Sequence, residues 1–430
     1  MVARKAALCL SLFIPSFLGG QEAATFSARQ GPAPQTPGTV EQKQVLTEAD
    51  ALRMAEQYSP LLKAGEAQIE GATAAITTAR TYVNPEVNLL DGHQSIRLPT
   101  SVRGILQHYG VAQRIELPFQ RRARIKVAEI GRESSEYGQA ENRLAVRGAV
   151  KQSFYTVLRR KQELDLAQQN QRLVEDFRRR IAVQVSTGEA AKLELTRADA
   201  ELATVRTQVR SAELQVVTAI SGLRAVIGAA SSTPIDPEGA LNTPPQLPPM
   251  SELLKRVLAQ HPAYAQARTE VQRAQAALSA EKTLRVPQPT ALAEYEQQPD
   301  LRFYRVGFAL PLPFFDRRQG PIREAAARVR QNAALVDQQR LELTSALETA
   351  YGQYQIASQQ VQALESGALR EAEAALAAAQ AAYKFGERGI IDVLDAQRVL
   401  RGVRLDHVNA QFDRQAALIE LEQLRAVDPQ

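Results

Sequence analysis

The stretch "KFGERGIIDVLDAQRVL", residues 384–400, shows how the chain is organised. Two glycines, Gly386 and Gly389, interrupt a long polar pattern of helical period, which then resumes with Asp392 and Asp395 three residues apart. Glycine is favoured where a helix ends in a left-handed turn, and acidic residues are favoured in the first turn of a helix. The stretch therefore predicts a helix, a tight reversal and a second helix.

A related stretch, "VSTGEAAKLELTRADA", occupies residues 185–200. Gly188 aligns with Gly386, and Glu194 aligns with Asp392, at an offset of 198 residues (386 minus 188). The chain therefore carries two reversals of the same kind. Gly188, Gly386 and Gly389 are predicted to be the turn residues at their tips.

Two further pairs of blocks show that the whole chain is duplicated. The sequence Leu-Pro-Phe occurs at 117–119 and again at 312–314, an offset of 195 (312 minus 117). The block "ADALRMAEQYSP" at 49–60 matches "SELLKRVLAQHP" at 251–262, an offset of 202 (251 minus 49). Three blocks in the same order at similar offsets indicate an internal repeat.

Each repeat is predicted to contain a helix, two strands, a long helix, a break and a returning helix. Pro118 and Pro313 are predicted to begin the long helices, because proline is favoured at the first helical position. The predicted segments are a signal peptide (1–20), an N-terminal linker (21–46), a first repeat (47–228), a Pro-rich connector (229–250) and a second repeat (251–426). Within the repeats, the first helices are predicted at about 47–83 and 251–285, the strand pairs at about 85–117 and 288–313, and the helical hairpins at 120–227 and 316–426.

The helix lengths predict a helical wall. At a rise of 1.5 Å per residue, the long arms of the hairpins span roughly 99 and 104 Å. The first helices and the returning arms span only about 52–55 Å each. Two short helices laid end to end therefore match one long helix in each repeat. This predicts antiparallel helices packed in the manner of a coiled coil.

The second strand of each repeat alternates. In "YRVGFALPL", residues 304–312, Val306 and Phe308 fall on one face, whereas Arg305 and Gly307 fall on the other. This alternation is typical of a transmembrane β-barrel and also of a soluble sheet with one buried face. The export signal and the long helices favour the barrel. Four strands cannot close a barrel, which needs at least about eight, so oligomerisation is predicted; three copies would supply twelve.

The N-terminus is typical of a secretory signal. Arg4 and Lys5 precede a short apolar stretch, residues 6–20, and no later run is apolar enough for a transmembrane helix. The single cysteine, Cys9, follows Leu8 and does not fit a lipoprotein cleavage site. We therefore expect an exported chain without a lipid anchor.

The duplicated unit, the Leu-Pro-Phe sequences and the motifs "LTEADALRMAEQYSP" and "YKFGERGIIDVLDAQRVL" resemble the TolC family of outer-membrane efflux proteins. The resemblance extends from about residue 46 to 426. It implies a mainly α-helical homotrimer whose twelve-stranded β-barrel, embedded in outer-membrane lipid, continues as a periplasmic helical tunnel. It also implies two partners, a periplasmic adaptor (a membrane fusion protein) and an inner-membrane pump of the RND or ABC type. Within the family, the sequence is more similar to the branch that serves metal-ion and RND pumps.

The resemblance also implies roles for residues at the tip. Asp392 and Asp395 would line the periplasmic constriction, and Tyr383 and Arg388 would close the tip against the first-repeat acid, Glu194. Glu194 stands where the family pattern has an aspartate. In a trimer the aspartates would form rings, which select for cations. The structural alternative is that they are simply acids at a helix start.

Other classes of function find little support. The formal net charge is +5. The sequence has no dense Lys/Arg run with interleaved aromatics, which is the pattern typical of nucleic-acid binding. The spacing of the four histidines does not fit a metal site; they are His93, His108, His261 and His407. The sequence has no phosphate-binding loop, nucleophile elbow or HExxH motif. No cofactor, metal site or enzyme activity is therefore expected. Two alternatives remain open: a type I protein-secretion outlet and a periplasmic coiled-coil adaptor.

Overall fold

The computed structural model describes residues 44–93, 102–230, 232–240 and 247–425. These residues all fall within the unit Lys43–Gln430. The predicted signal peptide, Cys9 and nearly all of the predicted N-terminal linker lie outside the described residues.

Helices make up most of the described chain. They are α1 (Glu48–Tyr58), α2 (Pro60–Arg80), α3 (Pro118–Thr187), α4 (Lys192–Ile227), α5 (Met250–Gln260), α6 (Pro262–Thr283), α7 (Gln319–Ala363), α8 (Leu369–Lys384) and α9 (Ile390–Gln423), with a π-helix (Leu364–Ala368) joining α7 to α8. The strands are β1 (Gln44–Leu46), β2 (Glu86–His93), β3 (Ile105–Arg114), β4 (Ile235–Pro237), β5 (Thr290–Gln297) and β6 (Arg302–Ala309). The prediction of a mainly α-helical chain with a small β part is confirmed. Within the described ranges, no helix combines the length and the apolar character needed to cross a membrane.

The first helix of each repeat is two helices, so the prediction of one continuous helix is wrong. The breaks lie at Ser59 and His261, whose ψ angles are 122° and 123°, and Pro60 and Pro262 begin the next helices. Proline disfavours helical backbone in the residue before it and lacks the N–H that would continue the helix. The His261 ring accepts a hydrogen bond from the N–H of Ala263 at 3.3 Å and caps the new helix.

The two long helices begin differently. Pro118 is the first residue of α3, as predicted, but α7 begins at Gln319 rather than at Pro313. Arg318 has a φ of 57°, a left-handed conformation that cannot belong to a right-handed helix, and its guanidinium lies 2.6 Å from Glu281. The helix therefore begins after this anchored residue.

Strands from both repeats form one antiparallel sheet in the order β2-β3-β5-β6. The repeats meet at β3 and β5, where Val111 lies opposite Ala293. Tyr109, Tyr295 and Tyr304 lie side by side across three strands, with ring centroids 6.0 and 5.1 Å apart. In the described chain, β2 and β6 are the two edges of this sheet.

The two faces of β6 carry different side chains, and the predicted alternation is confirmed. Val306 and Phe308 are 85% and 73% exposed. On the other face, Arg305 forms ion pairs with Glu294 at 3.3 Å and with Glu296 at 2.6 Å. One face of the sheet is therefore apolar and uncovered in the single chain, and the other is polar.

A second, smaller sheet was not predicted. Strand β1 pairs in parallel with β4, and Leu46 lies opposite Pro237. Leu46 and Ile235 are buried in the same core cluster as Phe154 of α3. Each strand has three residues, too few to show a period of two, and the partner lies about 190 residues away in the chain.

The long helix α3 contacts different partners along its length. About a third of the way along α3, the Gln139 amide donates to the Leu62 carbonyl of α2 at 3.0 Å. Near its end, Arg178 bonds Asp199 of α4 at 2.7 Å. Two short helices therefore pack along one long helix. This packing explains why the summed length of two short helices is similar to the length of one long helix in the sequence.

Candidate functional site

The first reversal joins α3 to α4. Gly188 has a φ of +82°, and the N–H of Glu189 donates to the carbonyl of Gln184 at 2.8 Å across the turn. No described atom lies within 4 Å of a Cβ built on Gly188. The left-handed backbone, rather than lack of space, therefore explains the glycine.

The second reversal joins α8 to α9. Gly386 has a φ of +75°, and the N–H of Glu387 donates to the carbonyl of Ala382 at 2.9 Å. Gly389 differs, since its φ of −82° and ψ of 165° form an extended helix start that any residue adopts. Of the three predicted tip glycines, Gly188 and Gly386 therefore have a conformational need for glycine.

Tyr383, at the end of α8, reaches across to the first repeat. Its hydroxyl lies 3.0 Å from the side-chain oxygen of Gln184 and 3.4 Å from the carboxylate of Glu194. Its ring packs against Phe177 with centroids 5.3 Å apart. Burial, and then the negative charge of Glu194, raise the pKa of Tyr383, so the hydroxyl stays protonated and can donate. The structure thus brings Tyr383 and Glu194 together.

Arg388 pairs with an acid of its own repeat. Its guanidinium is 4.0 Å from the carboxylate of Asp392, four residues further along. This ion pair links the turn to the first turn of α9, and no ion pair between Arg388 and Glu194 is present among the described residues of the single chain. The predicted group therefore separates into a Tyr383–Glu194 contact and an Arg388–Asp392 pair.

Asp395 has its own arginine. Its carboxylate lies 3.6 Å from Arg398, and Arg398 also bonds Glu201 of α4 at 2.7 Å. The Glu201 carboxylate raises the pKa of Arg398, which keeps its charge. Arg398 therefore ties the second-repeat helix to the first-repeat helix.

Both aspartates keep access to solvent. The side chains of Asp392 and Asp395 are 46% and 66% exposed, and both lie at the start of α9 three residues apart. Beneath them, a small core of buried apolar side chains holds the two reversals together. Its members are Ile181, Ala198, Ile390 and Leu394. The carboxylates are therefore displayed on a packed support.

Sequence reasoning missed three side chains of this group. Gln184 and Glu201 have no distinguishing pattern, because their partners lie about 200 residues away. Arg398 did carry a signal, since it follows Asp395 by three residues, a spacing at which helical side chains meet. Among the described residues, those of the tip included, no group of three or more His, Cys, Asp or Glu side chains could hold a metal ion.

These features define a class of protein: two long helical hairpins attached to a sheet whose apolar face is uncovered in the single chain. Comparison with known proteins identifies the family. The model of the outer membrane efflux protein family matches residues 51–229 and 253–426. The cobalt-zinc-cadmium resistance protein CzcC of Cupriavidus metallidurans is 30% identical over 370 residues, covering 84% of this chain and 86% of that protein.

Solved structures share the fold. CusC superposes with a TM-score of 0.75 at 16% identity, over 93% of this chain and 98% of that chain. The outer membrane protein VceC from Vibrio cholerae superposes with a TM-score of 0.74 at 16% identity, over 88% of this chain and 96% of that chain.

The chain belongs to the outer membrane efflux protein family. Its function is that of an outer-membrane channel in an efflux system, and the resemblance seen in the sequence is confirmed. The alternative of a periplasmic adaptor is thereby excluded. The other alternative, a protein-secretion outlet, would use the same kind of channel and is not excluded.

Proposed function

We propose that three copies of this chain form the outer-membrane channel of a tripartite system that exports divalent metal cations. A periplasmic adaptor and an inner-membrane RND pump would deliver the cations. The observation that carries the cation part is the pair of exposed carboxylates, Asp392 and Asp395, displayed at the start of α9. The relative from Cupriavidus metallidurans, described as a cobalt-zinc-cadmium resistance protein, supports the choice of metal ions.

The trimer accounts for the uncovered surface of the sheet. Its edges, β2 and β6, have unpaired backbone groups, and such edges tend to pair with another chain. Val87 and Leu89 on β2, like Val306 and Phe308 on β6, are exposed apolar side chains. Joining the edges of three copies would close a twelve-stranded barrel and turn this apolar face towards outer-membrane lipid.

The tip would control and select what passes. In a trimer the aspartates occur three times around one axis, and rings of carboxylates favour cations over anions. The Tyr383–Glu194 contact would hold the second-repeat arm against the first. Arg388 would lower the effective charge of Asp392 through their ion pair.

Conductance in planar bilayers tests the cation part. Replacing both aspartates, Asp392→Ala with Asp395→Ala, should lower the preference for cations over anions and weaken block by Co²⁺ or Zn²⁺. Glu371→Ala is the matched control, because Glu371 is an exposed acid on α8, away from the reversal. An unchanged ion preference in the double variant would show that the acids are helix-start residues.

Growth and secretion tests identify the cargo. A strain lacking this chain should become sensitive to Co²⁺, Zn²⁺ or Cd²⁺, and the wild-type chain should restore growth while the double aspartate variant restores it less. If metal tolerance is unchanged and a protein instead accumulates inside the cells, the chain serves as a protein-secretion outlet.

A further inference from the structure

The long arm of the second repeat is not one continuous α-helix. Between α7 and α8, residues Leu364–Ala368 form a π-helix, in which the N–H of Leu369 donates to the carbonyl of Leu364. In the first repeat, α3 runs without interruption from Pro118 to Thr187. A π-helical turn is wider than an α-helical turn and holds one extra residue.

The sequence offsets independently place extra residues in this part of the arm. Tyr155 aligns with Tyr351 at an offset of 196 (351 minus 155), whereas Gly188 aligns with Gly386 at 198 (386 minus 188). The second arm is therefore longer between these two points, and the π-helix lies between them. The buried face of the arm continues on both sides of it, through Val361 before and Ala372 after.

The π-helix is fastened to α9 by polar contacts. The Nε2 atom of His407 lies 3.0 Å from the carboxylate of Glu365, which accepts its hydrogen. One turn nearer the tip, Arg404 bonds Glu373 of α8 at 2.8 Å. Glu365 is itself a residue of the π-helix, so this contact joins the π-helix directly to α9.

We propose that the π-helix is the hinge of the second arm and that the His407–Glu365 contact sets its angle. His407 is then a positioning residue for the tip. Fifteen residues separate Ala368 from Tyr383, about 22 Å of helix. A swing of about 10° at the hinge would displace Tyr383 by about 4 Å at that lever length, enough to break its 3.4 Å contact with Glu194. The inference rests on the proposed function of the tip.

Two matched glycines test the hinge itself. A Cβ at Gly367, within the π-helix, or at Gly352, within α7, meets no described atom within 4 Å. Alanine stiffens a helix relative to glycine. In the detergent-solubilised trimer, Gly367→Ala should slow amide hydrogen exchange over residues 364–384 several-fold, and Gly352→Ala should leave that segment unchanged. Equal exchange in the two variants would refute the hinge.

Bilayer conductance tests His407. His407→Ala deletes the contact with Glu365 and should raise the resting conductance. His407→Gln keeps a hydrogen-bonding group at this position and should conduct close to wild type. A wild-type conductance in His407→Ala would remove His407 from the hinge. If exchange in α8 responds to Gly367→Ala while conductance never responds to changes at Tyr383, the hinge stands and the proposed tip gate fails.

Discussion

At the scale of single residues, backbone conformation separates glycines that look alike in the sequence. Gly386 adopts a left-handed φ of +75°, whereas Gly389, three residues later, has a φ of −82°. A side chain in the left-handed region costs about 1–2 kcal/mol, while an extended residue carries no such cost. The two positions therefore form a matched pair.

Gly386→Ala should loosen the second reversal, and Gly389→Ala should not. We expect faster amide exchange at residues 381–392 in Gly386→Ala, because the turn that ends α8 becomes strained. Exchange in Gly389→Ala should stay at the wild-type rate. Equal rates in both variants would mean that the turn tolerates a side chain at either position.

The hydroxyl of Tyr383 is a single group whose removal tests the contact between the repeats. Tyr383→Phe keeps the ring against Phe177 but deletes the hydrogen bonds to Gln184 and Glu194. Resting conductance in bilayers should rise. Tyr351→Phe, on α7, is the control and should conduct as wild type. Because burial raises the pKa of Tyr383, its hydroxyl should go on donating at alkaline pH where a free tyrosine has begun to lose its proton.

Replacing Arg388 is expected to change the ion preference of the channel rather than its stability. Its ion pair with Asp392 joins exposed groups, so its loss should change stability little. Arg388→Ser should instead uncover the charge of Asp392 and increase the preference for cations. A lower cation preference in this variant would mean that Arg388 does not shield Asp392.

At the scale of elements, a buried charge joins three helices. Lys151 of α3 lies 3.0 Å from Glu48 of α1 and 2.6 Å from Glu422 of α9, and its side chain is 6% exposed. The hydroxyl of Tyr155 also donates to Glu48 at 2.7 Å. This cluster ties the start of the described helices to their end.

Lys151→Ala should strongly destabilise the protein. Removing one member of a buried ion pair typically costs about 3–5 kcal/mol, because the partner charge remains in a poorly solvated site. The thermal unfolding temperature of the detergent-solubilised protein should fall clearly. Arg53→Ala is the control, since Arg53 pairs with Asp50 at an exposed position and its loss should have no measurable effect. Equal unfolding temperatures would show that water replaces the ammonium group.

At the scale of the whole molecule, the uncovered sheet edges predict how copies associate. Within one chain, β2 and β6 are separated by β3 and β5, which places them about 14 Å apart at the usual strand spacing. In a closed assembly, β6 of one copy would lie beside β2 of the next. Edge-to-edge linkage should therefore occur between chains.

Cysteines introduced on both edges test this association. The sequence has one native cysteine, Cys9, within the predicted signal peptide, so a mature chain would carry only the new thiols. Asn88→Cys combined with Gly307→Cys, treated with a bismaleimide shorter than about 10 Å, should give covalent dimers and trimers. Each single variant should stay monomeric on a denaturing gel. Linkage confined to one chain would contradict the closed ring.

Sequence patterns predict much of this architecture. The reversals follow from Gly188 and Gly386, whose left-handed turns glycine favours, and the faces of β6 follow from the alternation around Val306 and Phe308. The duplication is visible because three blocks recur in order. The turn and strand signals each involve residues close together in the chain, where helix and strand periods act directly on the pattern.

The tertiary structure decided which side chains meet. Tyr383 of the second repeat reaches Glu194 of the first, whereas the pair of Arg388 with Asp392 spans four residues of the chain. The parallel pairing of β1 with β4 and the fastening of the π-helix by His407 also join segments far apart in the chain. Such contacts depend on the relative placement of whole helices, which no local period encodes. The chain's own residues therefore determine its helices and turns, and the packing of the two repeats against each other determines the geometry of the tip.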